Sequence, residues 1–169
     1  MRIKLIANPV SGGNARSRIQ LARETLQRLG AEVELSLTAA RGDARRAASQ
    51  AVSEGYDRIV AAGGDGTLNE VVNGVASPEL PIAFLPLGTV NVFALEAGIP
   101  LQIEKACAIA VQGAQRSITL GRINGELFLL MASAGWDAAA VAAVRPGLKK
   151  RLGRLAYAVS AAEALLFRP

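Results

Sequence analysis

Short apolar runs alternate with helical patterns over the first 115 residues of the chain. The apolar runs at 3–7, 58–62 and 82–85 are nearly continuous, which is typical of strands buried on both faces of a sheet. Residues 33–37 alternate apolar and polar side chains, which predicts a strand with one polar face. Apolar residues recur at helical spacing over 19–29, 44–52, 92–96 and 103–111. The pattern predicts an α/β fold, an open and mostly parallel sheet with helices on both faces.

The pattern changes after about residue 115. Residues 117–123 and 126–132 flank Asn124-Gly125, which predicts a β-hairpin with a two-residue turn. We therefore expect an α/β domain over residues 1–115. Residues 116–169 are expected to begin a β-rich second domain that is not completed within this chain.

Composition excludes several kinds of active site. The chain has 169 residues, 51% of them hydrophobic and 20% charged, which is enough apolar material for a domain core. It has no His and one Cys, so it cannot contain a Ser-His-Asp triad, a His-paired Cys nucleophile, a Cys/His zinc site or a disulfide. Cys107 lies in an apolar helical pattern, which indicates a small core residue rather than a nucleophile.

The net charge of +5 comes from one basic cluster near the end of the chain. The cluster consists of Arg145, Lys149, Lys150, Arg151 and Arg154. Without these five residues the chain has 14 basic and 14 acidic side chains. No aromatic residue interleaves with the cluster, which argues against nucleic acid as a partner. Three interpretations of the cluster stay open: contact with an anionic membrane surface, contact with a polyanionic ligand, and an ordinary solvated helix face.

The amino terminus gives an expectation about location. Its apolar stretch at residues 3–7 is broken by Asn8-Pro9 and is too short for a signal peptide. No apolar run reaches the 18 or so residues that span a bilayer. The expected compartment is the cytoplasm.

The strongest candidate for chemistry is Gly63-Gly64-Asp65-Gly66-Thr67, which lies between a predicted strand and a predicted helix. Glycines allow close approach of the backbone to a ligand, and a helix start favours phosphate. A carboxylate at Asp65 repels phosphate unless Mg²⁺ lies between them or the carboxylate orients an attacking hydroxyl. Thr67 and Glu70 fit a capping box, so the helix is expected to begin at Thr67. A tight turn without a ligand is the alternative.

Three further polar segments follow predicted strands. They are Asn8–Asn14, Thr38 with Gly42-Asp43, and Gly88–Asn91. Carboxyl ends of parallel strands meet at one edge of a sheet, where open α/β folds bind ligands, so we expect all four segments to converge.

Three motifs together resemble the catalytic domain of the diacylglycerol kinase family of lipid kinases, which includes sphingosine kinases and bacterial lipid kinases. They are Asn-Pro-x-Ser-Gly at 8–12, Gly-Gly-Asp-Gly-Thr at 63–67 and Leu-Gly-Thr-x-Asn-x-Phe-Ala at 87–94. Gly135-Trp136-Asp137-Ala138 is similar to a segment of the family's second lobe. The Gly-Gly-Asp-Gly-Thr element also occurs in NAD kinases. An NAD-kinase-like phosphotransferase and a nucleotide-binding module without turnover therefore stay open.

The resemblance implies transfer of the γ-phosphoryl group of ATP to a lipid alcohol, with Mg²⁺ as cofactor and Asp65 as the catalytic residue. The implied nucleotide site comprises Asn8, Pro9, Val10, Ser11, Gly12, Thr38, Gly64, Asp65, Gly66, Thr67, Leu68, Asn69, Glu70 and Thr89. Val92 departs from the family pattern, which often has Asp there. The family's β-sandwich and general base would lie beyond residue 169. A lipid substrate would also suit peripheral contact of the basic cluster with an anionic membrane.

Overall fold

A computed structural model of the chain describes residues 1–75 and 80–133. Residues Met1–Leu129 form one compact unit, and a second unit begins at Leu130. The strands are β1 (Arg2–Ala7), β2 (Glu32–Leu37), β3 (Arg58–Gly63), β4 (Ile82–Pro86), β5 (Gly121–Ile123) and β6 (Glu126–Phe128). The helices are α1 (Ala15–Arg28), α2 (Asp43–Ala51), α3 (Asp65–Val75), α4 (Val92–Glu96) and α5 (Ile103–Gln112).

The four long strands form one parallel sheet in the order β2-β1-β3-β4. Strands β1, β3 and β4 coincide with apolar runs in the sequence, and β2 coincides with the alternating segment at 33–37. Each pair of successive strands is joined through a helix. The α/β class and the parallel sheet predicted from the hydrophobic pattern are therefore confirmed.

Two apolar layers hold the helices on the sheet. The alternation of side chains along β1 places Ile3 and Leu5 on one face and Ile6 on the other. Helices α1 and α5 cover the first face, and helices α2 and α3 cover the second. Cys107 of α5 is fully buried in the first layer, as predicted. Burial raises the pKa of its thiol to about 12.

Two local predictions need correction. Helix α3 begins at Asp65 rather than at Thr67, and a hydrogen bond from Leu68 N–H to Gly64 O, 3.2 Å, joins its first turn to the residue before it. The hairpin is present, but its strands β5 and β6 have only three residues each. Asn124 and Gly125 both have positive φ, as a two-residue hairpin turn requires.

Several predictions concern segments outside the described residues. These are the basic cluster at 145–154, the segment at 135–138 and most of the expected second domain. The division of the chain into domains at residue 115 stays a prediction.

Candidate active site

The carboxyl ends of β1, β2, β3 and β4 form one edge of the sheet, as the four loop motifs require. The chain runs from β1 outward to β2 and then crosses back to β3, so the direction of winding reverses between β1 and β3. Open α/β sheets bind ligands at such a reversal point. The loops after β1 and β3 therefore flank the position where a ligand is expected.

Three of the loops contact one another through glycines. A Cβ on Gly12 would lie 2.3 Å from the carbonyl oxygen of Leu87, and a Cβ on Gly88 would lie 2.7 Å from Cα of Gly64. A Cβ on Gly64 would lie 3.5 Å from Oγ of Ser11. The backbone amides of Leu87 and Gly88 both donate to Gly63 O, at 2.7 and 3.1 Å. The three motifs that were separate in the sequence therefore form one cluster of backbone.

The loop after β1 is a turn built around Asn8. The side-chain oxygen of Asn8 accepts from Val10 N–H at 3.0 Å, and its carbonyl accepts from Ser11 N–H at 3.2 Å. Pro9 is half-buried, whereas Val10 is 83% exposed. This turn brings Ser11 and Gly12 against the other loops and leads into α1, whose first amides have no side-chain cap.

The predicted site residues of α3 have different surroundings. Gly66 is exposed, and nothing lies within 4 Å of where its Cβ would be. Thr67 and Leu68 are buried, with Leu68 in the apolar layer under α2 and α3, so their side chains are packed inside rather than exposed at the edge of the sheet. The carbonyl of Asn69 accepts a hydrogen bond from the side chain of Asn73, one turn later.

Glu70 does not close a capping box with Thr67. Its carboxylate accepts a hydrogen bond from Ala44 N–H at 3.2 Å, at the start of α2. A carboxylate is favourable at a helix start because it meets free amides and the positive end of the helix dipole. Glu70 therefore joins α3 to the start of α2.

Asp65 joins two of the loops. Its two carboxylate oxygens accept hydrogen bonds from the amides of Val92 and Phe93, each at 3.0 Å. These are the first amides of α4, which Asn91 leaves without a side-chain cap. Asp65 therefore provides the cap from 27 residues away in sequence and connects the turn after β3 to the loop after β4.

Thr38 follows β2, and its amide donates to Ala7 O at 2.9 Å, next to the loop after β1. The nearby carboxylate of Asp43 accepts from the amides of Ala39 and Ala40 at 2.8 and 2.9 Å. These backbone bonds lower the pKa of Asp43 below its usual value. The loop after β2 is thus held at the same edge, and Thr38 is half-buried there.

Two residues of the site are not among the predicted nucleotide-site residues, although Asn91 ends the candidate segment Gly88–Asn91. Asn91 adopts positive φ, is 5% exposed, and donates to Gly88 O at 2.8 Å. Its side-chain oxygen is buried and has no partner among the described residues. Arg18 of α1 donates to Pro86 O at 2.9 Å and to Leu87 O at 3.3 Å, and burial lowers its pKa. The Gly-Thr-x-Asn motif was a signal for Asn91, whereas nothing in the sequence marks Arg18.

The loop after β4 also carries Thr89, which is exposed at this edge. Within residues 1–75 and 80–133, no three acidic, Cys or His side chains lie close enough together to hold a metal ion. No helix in the same part of the chain is both long and apolar enough to cross a bilayer.

Comparisons with known proteins agree with this geometry. The family described as "Diacylglycerol kinase catalytic domain" matches residues 2–123. The chain is 42% identical over 158 residues to a Pseudomonas aeruginosa protein named "Probable lipid kinase YegS-like", and covers 51% of it. It is 38% identical over 170 residues to "Diacylglycerol kinase" of Bacillus subtilis, and covers 55% of it. These alignments include 92% and 97% of the chain.

A crystal structure of a diacylglycerol kinase from Bacillus anthracis superposes with a TM-score of 0.66 and 27% identity. The superposition covers 76% of this chain and 45% of that one. The chain spans about half the length of the curated relatives it matches. The match over residues 2–123, the parallel sheet and the clustered motifs lead to one conclusion: the chain belongs to the diacylglycerol kinase catalytic domain family.

Proposed function

We propose that this chain provides the ATP-binding part of a lipid kinase, which transfers the γ-phosphoryl group of ATP to a hydroxyl group of a lipid. Family membership and the names of the relatives support a kinase. The use of ATP and the lipid acceptor are our proposal for this chain.

One observation carries the proposal. The starts of α1 and α3 lie on either side of the reversal point between β1 and β3. The first amides of a helix lack partners inside the helix, and the helix dipole is positive at that end. Two such starts directed at one crevice, together with glycines that bring the backbone close, suit a chain of phosphates better than a neutral ligand.

The predicted site residues divide into three roles under this proposal. Amides around Ser11, Gly12 and Gly66 contact the phosphates, and the hydroxyls of Ser11, Thr38 and Thr89 donate to phosphate oxygens. Thr67, Leu68, Asn69 and Glu70 set the position of α3 and of its amides. Thr67 and Leu68 are buried, the carbonyl of Asn69 accepts from the side chain of Asn73, and Glu70 accepts from Ala44 N–H. Pro9 and Val10 shape the first turn.

Asp65 has the role closest to the chemistry. Each of its oxygens accepts one backbone hydrogen bond, and a carboxylate oxygen has a second lone pair available. We propose that Asp65 orients the acceptor hydroxyl, or a water bound to Mg²⁺, while it holds the start of α4. Loss of Asp65 would then affect both phosphoryl transfer and the loop that carries Thr89.

Mg²⁺ fits this edge as an ion bound mainly by phosphate oxygens and water, with one or two carboxylates at most. The described residues contain no cluster of three acidic side chains. Proteins commonly bind Mg²⁺ in this way, because the ion retains several waters. When bound, the ion would neutralise phosphate charge.

The transfer itself needs positioning more than covalent catalysis. The acceptor oxygen forms a bond to the γ-phosphorus, the bond from that phosphorus to the bridging oxygen breaks, and ADP leaves. The hydroxyl proton must pass to a base. We assign no general base within the described residues, and the chain spans about half the length of its relatives, so we expect this chain by itself to bind nucleotide but to transfer phosphoryl groups slowly.

The lipid acceptor places the proposed reaction at a membrane surface reached from the cytoplasm. The basic cluster at 145–154 is the segment we propose for contact with anionic lipid. That cluster lies outside the described residues, so the proposal rests on its charge alone.

Two measurements test the proposal. Calorimetric titration of the 169-residue chain with ADP, AMP and adenosine should give affinities that rise with the number of phosphates. Equal affinities for all three would contradict a phosphate site. Transfer of the labelled phosphoryl group from ³²P-ATP should then be measured with two acceptors, diacylglycerol in mixed micelles and NAD. Labelling of NAD alone would favour the NAD-kinase-like alternative.

A further inference from the structure

A cavity of about 590 Å³ lies along the outer side of β4, the end strand of the sheet. Leu68 and Val72 of α3 line it from one face, and Ala106 and Ala110 of α5 line it from the other. Phe84 of β4 contributes an aromatic wall between them. Small-molecule sites in proteins have volumes of about 300–1,000 Å³ and mostly apolar walls, and this cavity has both features.

Among residues 1–75 and 80–133, the charged side chains that line the cavity all have the same sign. They are Arg58, Arg116 and Arg122, and none of the described lining residues is Asp or Glu. Arg116 and Arg122 are exposed, whereas Arg58 is only 9% exposed. An apolar cavity with three positive charges favours a ligand that has an apolar body and an anionic head.

Arg58 is the residue that points to a ligand most directly. One terminal nitrogen of its guanidinium donates to the carbonyl of Ala110 in the last turn of α5. Its Nε is buried and has no hydrogen-bond partner in the described part of the chain. A buried guanidinium without a carboxylate is costly, and its planar set of N–H donors matches a carboxylate closely.

We propose that this cavity binds a fatty acid, with the carboxylate on Arg58 and the acyl chain along β4. One acyl chain with a small head is a ligand of the size that cavities of this volume hold. A carboxylate is favoured over a phosphate, because Arg58 is only 9% exposed and a head with a single negative charge needs fewer hydrogen-bond donors when it is buried. A peptide strand added to β4 would leave Arg58 without an anion.

The carboxylate-binding end of the proposed site is remote from the candidate active site, although the cavity also reaches Leu68 and Phe93, next to Asp65. Arg58 begins β3 and Gly63 ends it, so the two lie about 17 Å apart along the strand. The fatty-acid site therefore does not compete with nucleotide phosphates, and it does not depend on the proposed kinase function.

Calorimetry on the 169-residue chain tests the site with three probes below their micellar concentrations: dodecanoate, dodecanol and dodecylammonium. We expect dodecanoate to bind at least tenfold more tightly than dodecanol, and dodecylammonium to bind most weakly. Saturating ADP should leave the affinity for dodecanoate unchanged. Equal binding of all three probes would refute the role of the arginines, and competition with ADP would refute a separate site.

A matched pair of variants assigns the effect to Arg58. Arg58→Met keeps an unbranched apolar stem but removes the guanidinium and its charge, while Arg28→Met makes the same change on the exposed end of α1. Arg58→Met should weaken the binding of dodecanoate roughly tenfold to hundredfold, as loss of a charged hydrogen bond predicts, and should leave the binding of dodecanol unchanged. Arg28→Met should bind both probes as the unmodified chain does. If Arg58→Met does not fold, the three probes on the unmodified chain still show whether the cavity prefers an anionic head. A dimer that binds none of the probes would overturn the proposal in favour of a second copy at β4.

Discussion

The contact between Gly12 and Leu87 gives the sharpest test of the loop cluster. Gly12 has φ of 81°, and a Cβ there would lie 2.3 Å from the backbone oxygen of Leu87. Gly13, the next residue, does not have positive φ, and nothing lies within 4 Å of its Cβ position. Gly12→Ala and Gly13→Ala therefore add the same methyl group to adjacent residues of one loop, and only the first should disturb the cluster.

The magnitude follows from two costs. An alanine in the left-handed region costs about 1–2 kcal/mol, and overpacking against immobile atoms costs about 1–3 kcal/mol. The oxygen of Leu87 belongs to the backbone, so a rotamer change cannot relieve the contact. We expect Gly12→Ala to lower the free energy of unfolding by about 2–5 kcal/mol. For a chain of this length that lowers Tm by about 4–20 °C.

The same substitution should weaken nucleotide binding. Ordinary contact begins at 3.4 Å, so the loop after β1 must retreat from Leu87 by roughly 1 Å. This moves the start of α1 away from the start of α3, which lies across the reversal point. We expect at least a tenfold loss of ADP affinity, since misplacement of about 1 Å at a site is known to have large effects.

Thermal unfolding followed by circular dichroism and calorimetric titration with ADP measure both effects. Gly13→Ala should have a Tm close to that of the unmodified chain or slightly higher, because alanine restricts the unfolded state. If Gly12→Ala and Gly13→Ala behave alike in both assays, the three loops are not in contact and the proposed phosphate site is wrong.

Two further predictions use other features of the structure. Asp65→Ala should lower the free energy of unfolding by about 1–2 kcal/mol in denaturant titrations and also weaken ADP binding, because α4 loses its cap. Glu96→Ala, at an exposed carboxylate of the same helix, should change neither, and equal effects of the two variants would contradict the role of Asp65. The raised pKa of Cys107, about 12 against 9.0 unfolded, means that only the unfolded thiol ionises near pH 10. Between pH 8 and pH 10 the unmodified chain should therefore lose about 1 kcal/mol more stability than Cys107→Ala, and identical losses would contradict burial of the thiol.

Much of the fold was accessible from the sequence because it depends on local patterns. The buried strands β1, β3 and β4 are nearly continuous apolar runs, and the helices that follow β1 and β2 show apolar residues at helical spacing. Parallel strands place their carboxyl ends at one edge, so the convergence of Ser11, Gly64 and Gly88 followed from that class of fold. The start of α3 was misplaced because Thr67 and Glu70 match a capping box that the tertiary structure does not use.

By itself, the sequence determined the succession of strands and helices, the class of sheet and the position of the glycine-rich loops, because each depends on neighbours a few residues apart. Only the tertiary structure decided the partners of the charged and polar side chains. Asp65 caps α4 from 27 residues away, Glu70 reaches α2 across 26 residues, and Arg18 reaches Leu87 across 69. Such pairings depend on how the helices pack across the sheet, and no local pattern encodes them.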